Sequence, residues 1–182
     1  LDGVWALCDD VGILQHGRGI VPDRDHGYCV DDNARALMLF ADMNAGPLAD
    51  RQLLRFAAFV QHAWNDERHA FRNFMGYDRR WLEERGSDDS NGRAIWALGH
   101  CAAKARDPDL RDWAHGWFDR AVHGFASVTS PRAVAFAMLG AGALSGRDPA
   151  RALLERGGTL LARLAEEHAD AEWDWFEPVL AY

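Results

Sequence analysis

The chain has 182 residues, 48% of them hydrophobic, which is enough to bury a sizeable core as one domain or as part of a larger one. A formal net charge of -8, a pI near 5.4 and a single lysine, Lys104, exclude a nucleic-acid surface. No apolar run approaches the roughly 20 residues that span a bilayer, so no membrane span is predicted.

Residues 1–32 carry Gly3, Gly12, Gly17, Gly19, Pro22 and Gly27, too much punctuation for a long helix after Val4-Trp5-Ala6-Leu7, and an irregular entry segment is expected. The opening residues do not read as a signal peptide. The missing initiator Met and the stop at Leu180-Ala181-Tyr182, in mid-pattern, give the expectation of a piece of a longer protein. Cys8, Cys29 and Cys101 are far apart and form no C-x-x-C pair, so neither a disulfide framework nor a zinc site is indicated, and a reducing cytoplasm is the expected compartment.

From Asn33 to about Met43 the chain is apolar almost all round, as a helix buried on every side requires, and Asn44 with Gly46-Pro47 ends it. Leu48 to Trp64 instead places Leu53, Ala57, Val60 and Trp64 on one face. The same pairing recurs. Gly92 to Ala103 is apolar all round, and Leu110, Trp113, Ala114, Trp117, Phe118, Ala121, Val122 and Phe125 follow as a single stripe. Pro131 to Leu144 is again apolar throughout, followed by the stripe Leu153, Leu160, Leu161, Leu164 and His168. Alternating buried and half-buried helices predict an all-α fold: helical hairpins forming part of an (α/α) toroid, with one domain over 1–182. An insert loop is expected over 65–86, where Phe71 to Met75 and Tyr77 to Leu82 can pair as a small hairpin through Gly76.

Each of the first two buried helices is preceded by an acidic motif. Asp31-Asp32-Asn33-Ala34-Arg35-Ala36-Leu37 returns as Asp89-Ser90-Asn91-Gly92-Arg93-Ala94-Ile95, preceded by Ser87-Asp88. A third copy, Ser130-Pro131-Arg132-Ala133-Val134, keeps the Arg-Ala-apolar part but has Val128 in place of the acid. The interval between the repeat arginines is irregular, unlike the fixed step of roughly 34 residues in a tetratricopeptide array. Two readings of the acids stand side by side. They can cap helix N-termini, or pair at i, i+4 (Asp31 with Arg35, Asp89 with Arg93) for about 0.3–0.5 kcal/mol if exposed. They can also contact a ligand, since the fold dispenses with the acid in the third copy and a cap needs no such density of polar and aromatic groups as Arg24, His26 and Tyr28 add. If the buried helices share one direction, Asp31, Asp32, Asp88 and Asp89 meet at one cavity mouth with Asn91. Trp173-Asp174-Trp175-Phe176-Glu177-Pro178 offers a carboxyl beside aromatic faces, the requirement of a proton donor in a pyranose site, or an ordinary helix start with core aromatics. Trp81 in the insert admits the same two readings. A Mg²⁺ role for the paired aspartates is opposed by Arg35 and Arg93, and no cofactor motif is present.

These motifs, together with Asp10-Val11-Gly12-Ile13-Leu14-Gln15-His16, Val21-Pro22-Asp23-Arg24 and Gly27-Tyr28-Cys29-Val30, resemble the α/α-toroid domain of bacterial proteins described as glycosyltransferases, similar in layout to six-hairpin glycosidases and sugar epimerases. The resemblance implies that this chain is the N-terminal half of a longer domain. It further implies a carbohydrate-active role on an oligosaccharide or polysaccharide, with a glycosyltransferase domain as neighbour. In a hydrolytic version the default is inversion, with Glu177 as acid and Asp31 or Asp89 as base at a separation of roughly 6.5–9.5 Å. Arg24, His26, Tyr28, Asp32, Trp81, Asp88, Asn91, Trp173 and Trp175 are the expected sugar contacts. The alternatives are a non-catalytic glycan-binding scaffold and a protein-interaction solenoid in which the acids are caps alone.

Overall fold

A computed structural model describes residues 2–43 and 46–168; Trp173, Trp175 and Glu177 lie outside the described residues. The all-α expectation does not hold. The described residues are 62% helix and 14% strand, with a small antiparallel sheet built mostly from the entry segment expected to be irregular. After α1 (Asp2–Leu7), the entry segment forms a hairpin of β1 (Leu14–Arg18) and β2 (Val21–Cys29). Gly19 has φ +64° and Ile20 does not have positive φ, the requirement of a two-residue hairpin turn with glycine first. Gly27, at φ +61°, lies against the Met75 carbonyl where no side chain fits. Two of the glycines that read as helix breakers are thus a hairpin turn, Gly19, and a close-approach point between β2 and Met75, Gly27.

Two short pairings complete the sheets. β3 (Trp64–Asn65) pairs with β4 (Ala70–Phe71), and β5 (Phe74–Met75) pairs with the end of β2, matching Tyr28 to Met75 and Cys29 to Phe74. Inside residues 65–86, Met75 also bridges Trp81, and the Gly76 N–H donates to the Arg80 carbonyl at 2.9 Å.

Among the described residues six longer helices follow the hydrophobic pattern: α2 (Val30–Asp42), α3 (Pro47–Ala63), α4 (Asp88–Lys104), α5 (Pro108–Gly124), α6 (Pro131–Gly142) and α7 (Asp148–His168). Their starts are chemically marked. Ser87 accepts from the Ser90 N–H, Asp107 accepts from the Asp109 and Leu110 N–H groups, and proline opens α3, α5 and α6. The inner helices α2, α4 and α6 lie side by side, and α3, α5 and α7 each pack on the inner helix before them. The central helix α4 buries Ala94, Ile95, Ala97, Leu98 and Cys101. Against α6 it packs backbone to backbone: a Cβ on Gly92 would strike the Ala133 carbonyl, and one on Gly99 the Gly140 carbonyl. No helix among the described residues is long and apolar enough to cross a membrane.

Candidate functional site

The repeated motif places its residue types in different jobs. Asn33 is fully buried; its Oδ1 accepts from the Ile13 N–H at 3.1 Å, and its Nδ2 donates to the Cys29 carbonyl at 2.8 Å and the Ile13 carbonyl at 3.4 Å. Asn91 repeats this on Phe71: Oδ1 accepts from its N–H at 2.7 Å, and Nδ2 donates to its carbonyl at 3.1 Å and to the Ser87 carbonyl at 2.9 Å. Both clamps reach back twenty positions. The asparagines therefore tie α2 and α4 to the β segment before each, and Asn91 presents its polar atoms to main chain.

The arginines join neighbouring repeats. Arg35 makes the expected local pair to Asp31 at 2.7 Å and a further one to Asp32 at 2.8 Å. Arg93 does not pair with Asp89 in its own helix; it reaches across to Asp31 through Nε and stacks 4.1 Å over the Phe136 ring of α6. Arg132 of α6 in turn meets Asp89 of α4 at 3.8 Å. Each aspartate is thus matched to the arginine of the next repeat. The third copy has no acid to pass on: Val128 stands four residues ahead of Arg132 and Pro131 directly precedes it, whereas α2 and α4 begin more than a turn ahead of Arg35 and Arg93.

These contacts bring the starts of three inner helices to one cavity of about 550 Å³. Cys29, Asp31 and Asp32 line it from α2, Ser87, Asp88, Asp89 and Ser90 from α4, and Ser130 from α6. Gln15 of β1 with Asn73 and Phe74 of the insert complete the wall. Asn73 fixes the insert to α2, accepting from the Asp31 N–H at 3.2 Å through Oδ1, while Glu83 accepts from the Asn73 and Phe74 N–H groups at 2.7 and 2.9 Å. Among the described residues no cationic side chain lines the cavity. Asp88 is held at its edge by Arg85 at 2.7 Å. The Cys29 thiol donates to Asp32 at 3.1 Å, and burial, followed by the Asp32 charge, raises its pKa so far that it stays protonated and is no nucleophile.

Of the residues expected to form the site, Asp31, Asp32, Asp88 and Asp89 come together. Tyr28 does not face the cavity; it is 1% exposed and donates to Asp9 at 2.6 Å. Arg24 and His26 lie exposed on β2, Arg24 over Tyr77 and His26 edge-on to His16. Trp81 packs on Phe59 and His62, and its buried indole N–H has no partner among the described residues. Gln15, Asn73, Phe74, Ser87 and Ser130 were not legible as wall residues; the serines could have been read as the caps before each Arg-Ala motif, but nothing local marks Phe74. Among the described residues no group of three His, Cys, Asp or Glu side chains is arranged to hold a metal ion. Chemically, the cavity offers ion-paired carboxylates as acceptors, serine hydroxyls and amides that can donate, and the half-exposed Phe74 ring. Comparison with protein-family models, with curated proteins and with solved structures returned no match.

Proposed function

We propose that the chain is a carbohydrate-active domain whose acidic cavity binds the hydroxyl groups of an oligosaccharide or polysaccharide. The observation that carries this reading is the convergence of the α2 and α4 acidic starts with Ser130 of α6 on one cavity that also exposes an aromatic ring, Phe74. Sugar hydroxyls are donors that suit paired carboxylates, and the apolar face of a pyranose suits an aromatic wall. The likeness of the Asp31 to Leu37 motif to glycosyltransferase-associated domains supports the same reading.

Asp31 has one oxygen on Arg35 and the other on Arg93, so its role is to orient a bound hydroxyl. In a hydrolytic version Asp89 is the base and Glu177 the acid. A binding-only version, serving a neighbouring glycosyltransferase domain, is favoured by the arginine partner that each of the four cavity carboxylates possesses. A glycan array combined with a turnover screen tests both. Asp32→Asn and Phe74→Ala are expected to weaken glycan capture about tenfold or more while the fold persists, and Glu177→Gln to abolish any turnover with binding retained. Capture that is indifferent to both cavity variants overturns the proposal.

A further inference from the structure

A second cavity, of about 340 Å³, lies between α5 and α7 and has a different chemistry. Val122 and Ala126 on one side and Pro149, Ala152 and Leu153 on the other give it apolar walls. Its one carboxylate, Asp119, is bound to Arg147. Besides the imidazole of His123, the cationic group on the wall is Arg156 of α7, whose Nη1 donates to the Val128 carbonyl at 2.9 Å and whose Nη2 donates to the Phe125 carbonyl at 3.3 Å. These bonds occupy two of the five N–H donors of a guanidinium. No carboxylate faces Arg156 among the described residues.

Of the other shielded arginines, Arg93 has Asp31, Arg72 has Glu84 and Arg132 has Asp89; Arg111, like Arg156, donates to two carbonyls, those of Ala105 and Arg106, and what distinguishes Arg156 is the apolar cavity it faces. A guanidinium partly withdrawn from water without a counter-charge is incompletely compensated by carbonyls alone, and burial lowers the pKa of Arg156. An anion placed against it gains a charge-assisted bond in a setting where water competes weakly. The walls fix what the anion must carry. Inorganic phosphate or sulfate would strip its hydration against aliphatic side chains for no return, whereas a short hydrocarbon body buries itself there favourably.

We propose that the α5–α7 cavity binds a small organic acid, with its carboxylate at Arg156 and its apolar body against Val122, Ala152 and Leu153. This site is separate from the acidic cavity and does not rest on the carbohydrate reading. The test is a titration of the full chain followed by backbone amide NMR, using hexanoate, 1-hexanol and hexylammonium as probes of one body with three head groups. Hexanoate is expected to shift the amides of Val122, Ala126 and Leu153 saturably and to bind about tenfold tighter than 1-hexanol, with hexylammonium weakest. Arg156→Met is expected to remove the preference for the acid while leaving the alcohol bound, and Arg156→Lys to retain part of it. Equal affinity for hexanoate and 1-hexanol, shifts confined to other residues, or an unchanged preference in Arg156→Met overturns the proposal. Absence of saturable binding also overturns it and leaves Arg156 as a cap on the end of α5. The wild-type comparison of head groups decides the matter should Arg156→Met fail to fold.

Discussion

Every polar atom of the Asn91 side chain is engaged with main chain, on Phe71, Gly86 and Ser87. Removing it leaves the buried Phe71 N–H without its partner, while the Phe71 carbonyl keeps the Gly86 N–H at 2.8 Å, so Asn91→Ala is expected to cost about 2 kcal/mol in urea unfolding. A cost below 1 kcal/mol would show that the clamp is dispensable. Sequence alone grouped Asn91 and Tyr28 with the cavity aspartates because all are polar and close together in the chain. Polarity does not reveal whether a group points at solvent or at a neighbouring backbone, and both residues point inward. The aspartates were legible because the third copy lacks the acid, which separates what the helix start needs from what the cavity offers.

The inner helices α4 and α6 touch through glycine, and their spacing is set by the absence of a side chain. A methyl group at Gly99 meets the carbonyl of Gly140, which is main chain and cannot swing aside. Gly99→Ala is therefore expected to destabilise by about 2–3 kcal/mol despite the better helix propensity of alanine. Gly116, inside α5 with nothing near its Cα, is the control: Gly116→Ala is expected to stabilise by up to about 1 kcal/mol. Parallel chemical-denaturation curves of the two variants check both signs. The helices themselves were readable from a period that repeats within a few turns. The strands were not, because β2 is mostly polar and finds its second partner, Phe74-Met75, far downstream, and because the pairing of Arg93 with Asp31 spans 62 positions. Local periodicity is silent about partners at that range.

At the scale of the molecule, burial of acidic protons ties stability to alkaline pH. Burial pushes the Cys101 thiol up to about 12 and raises Cys29 and Tyr28 as well. Unfolded thiols ionise near pH 8.5–9, so above that range the unfolded chain binds fewer protons than the folded one and stability falls. The contribution is complete below pH 8.5 and is lost as the pH climbs toward the folded values. Cys101 alone is expected to account for about 1 kcal/mol per pH unit across pH 9 to 10.5, and Cys101→Ala to flatten the decline by that amount in urea titrations at stepped pH. An identical slope in both proteins would assign the loss elsewhere. The asparagine clamps bear on how such a chain can be copied. Each grips a residue twenty positions upstream, Ile13 for Asn33 and Phe71 for Asn91, so the heritable module is a β segment with the helix that follows it. A gene duplication that began at the helix would deliver a side chain with nothing to hold.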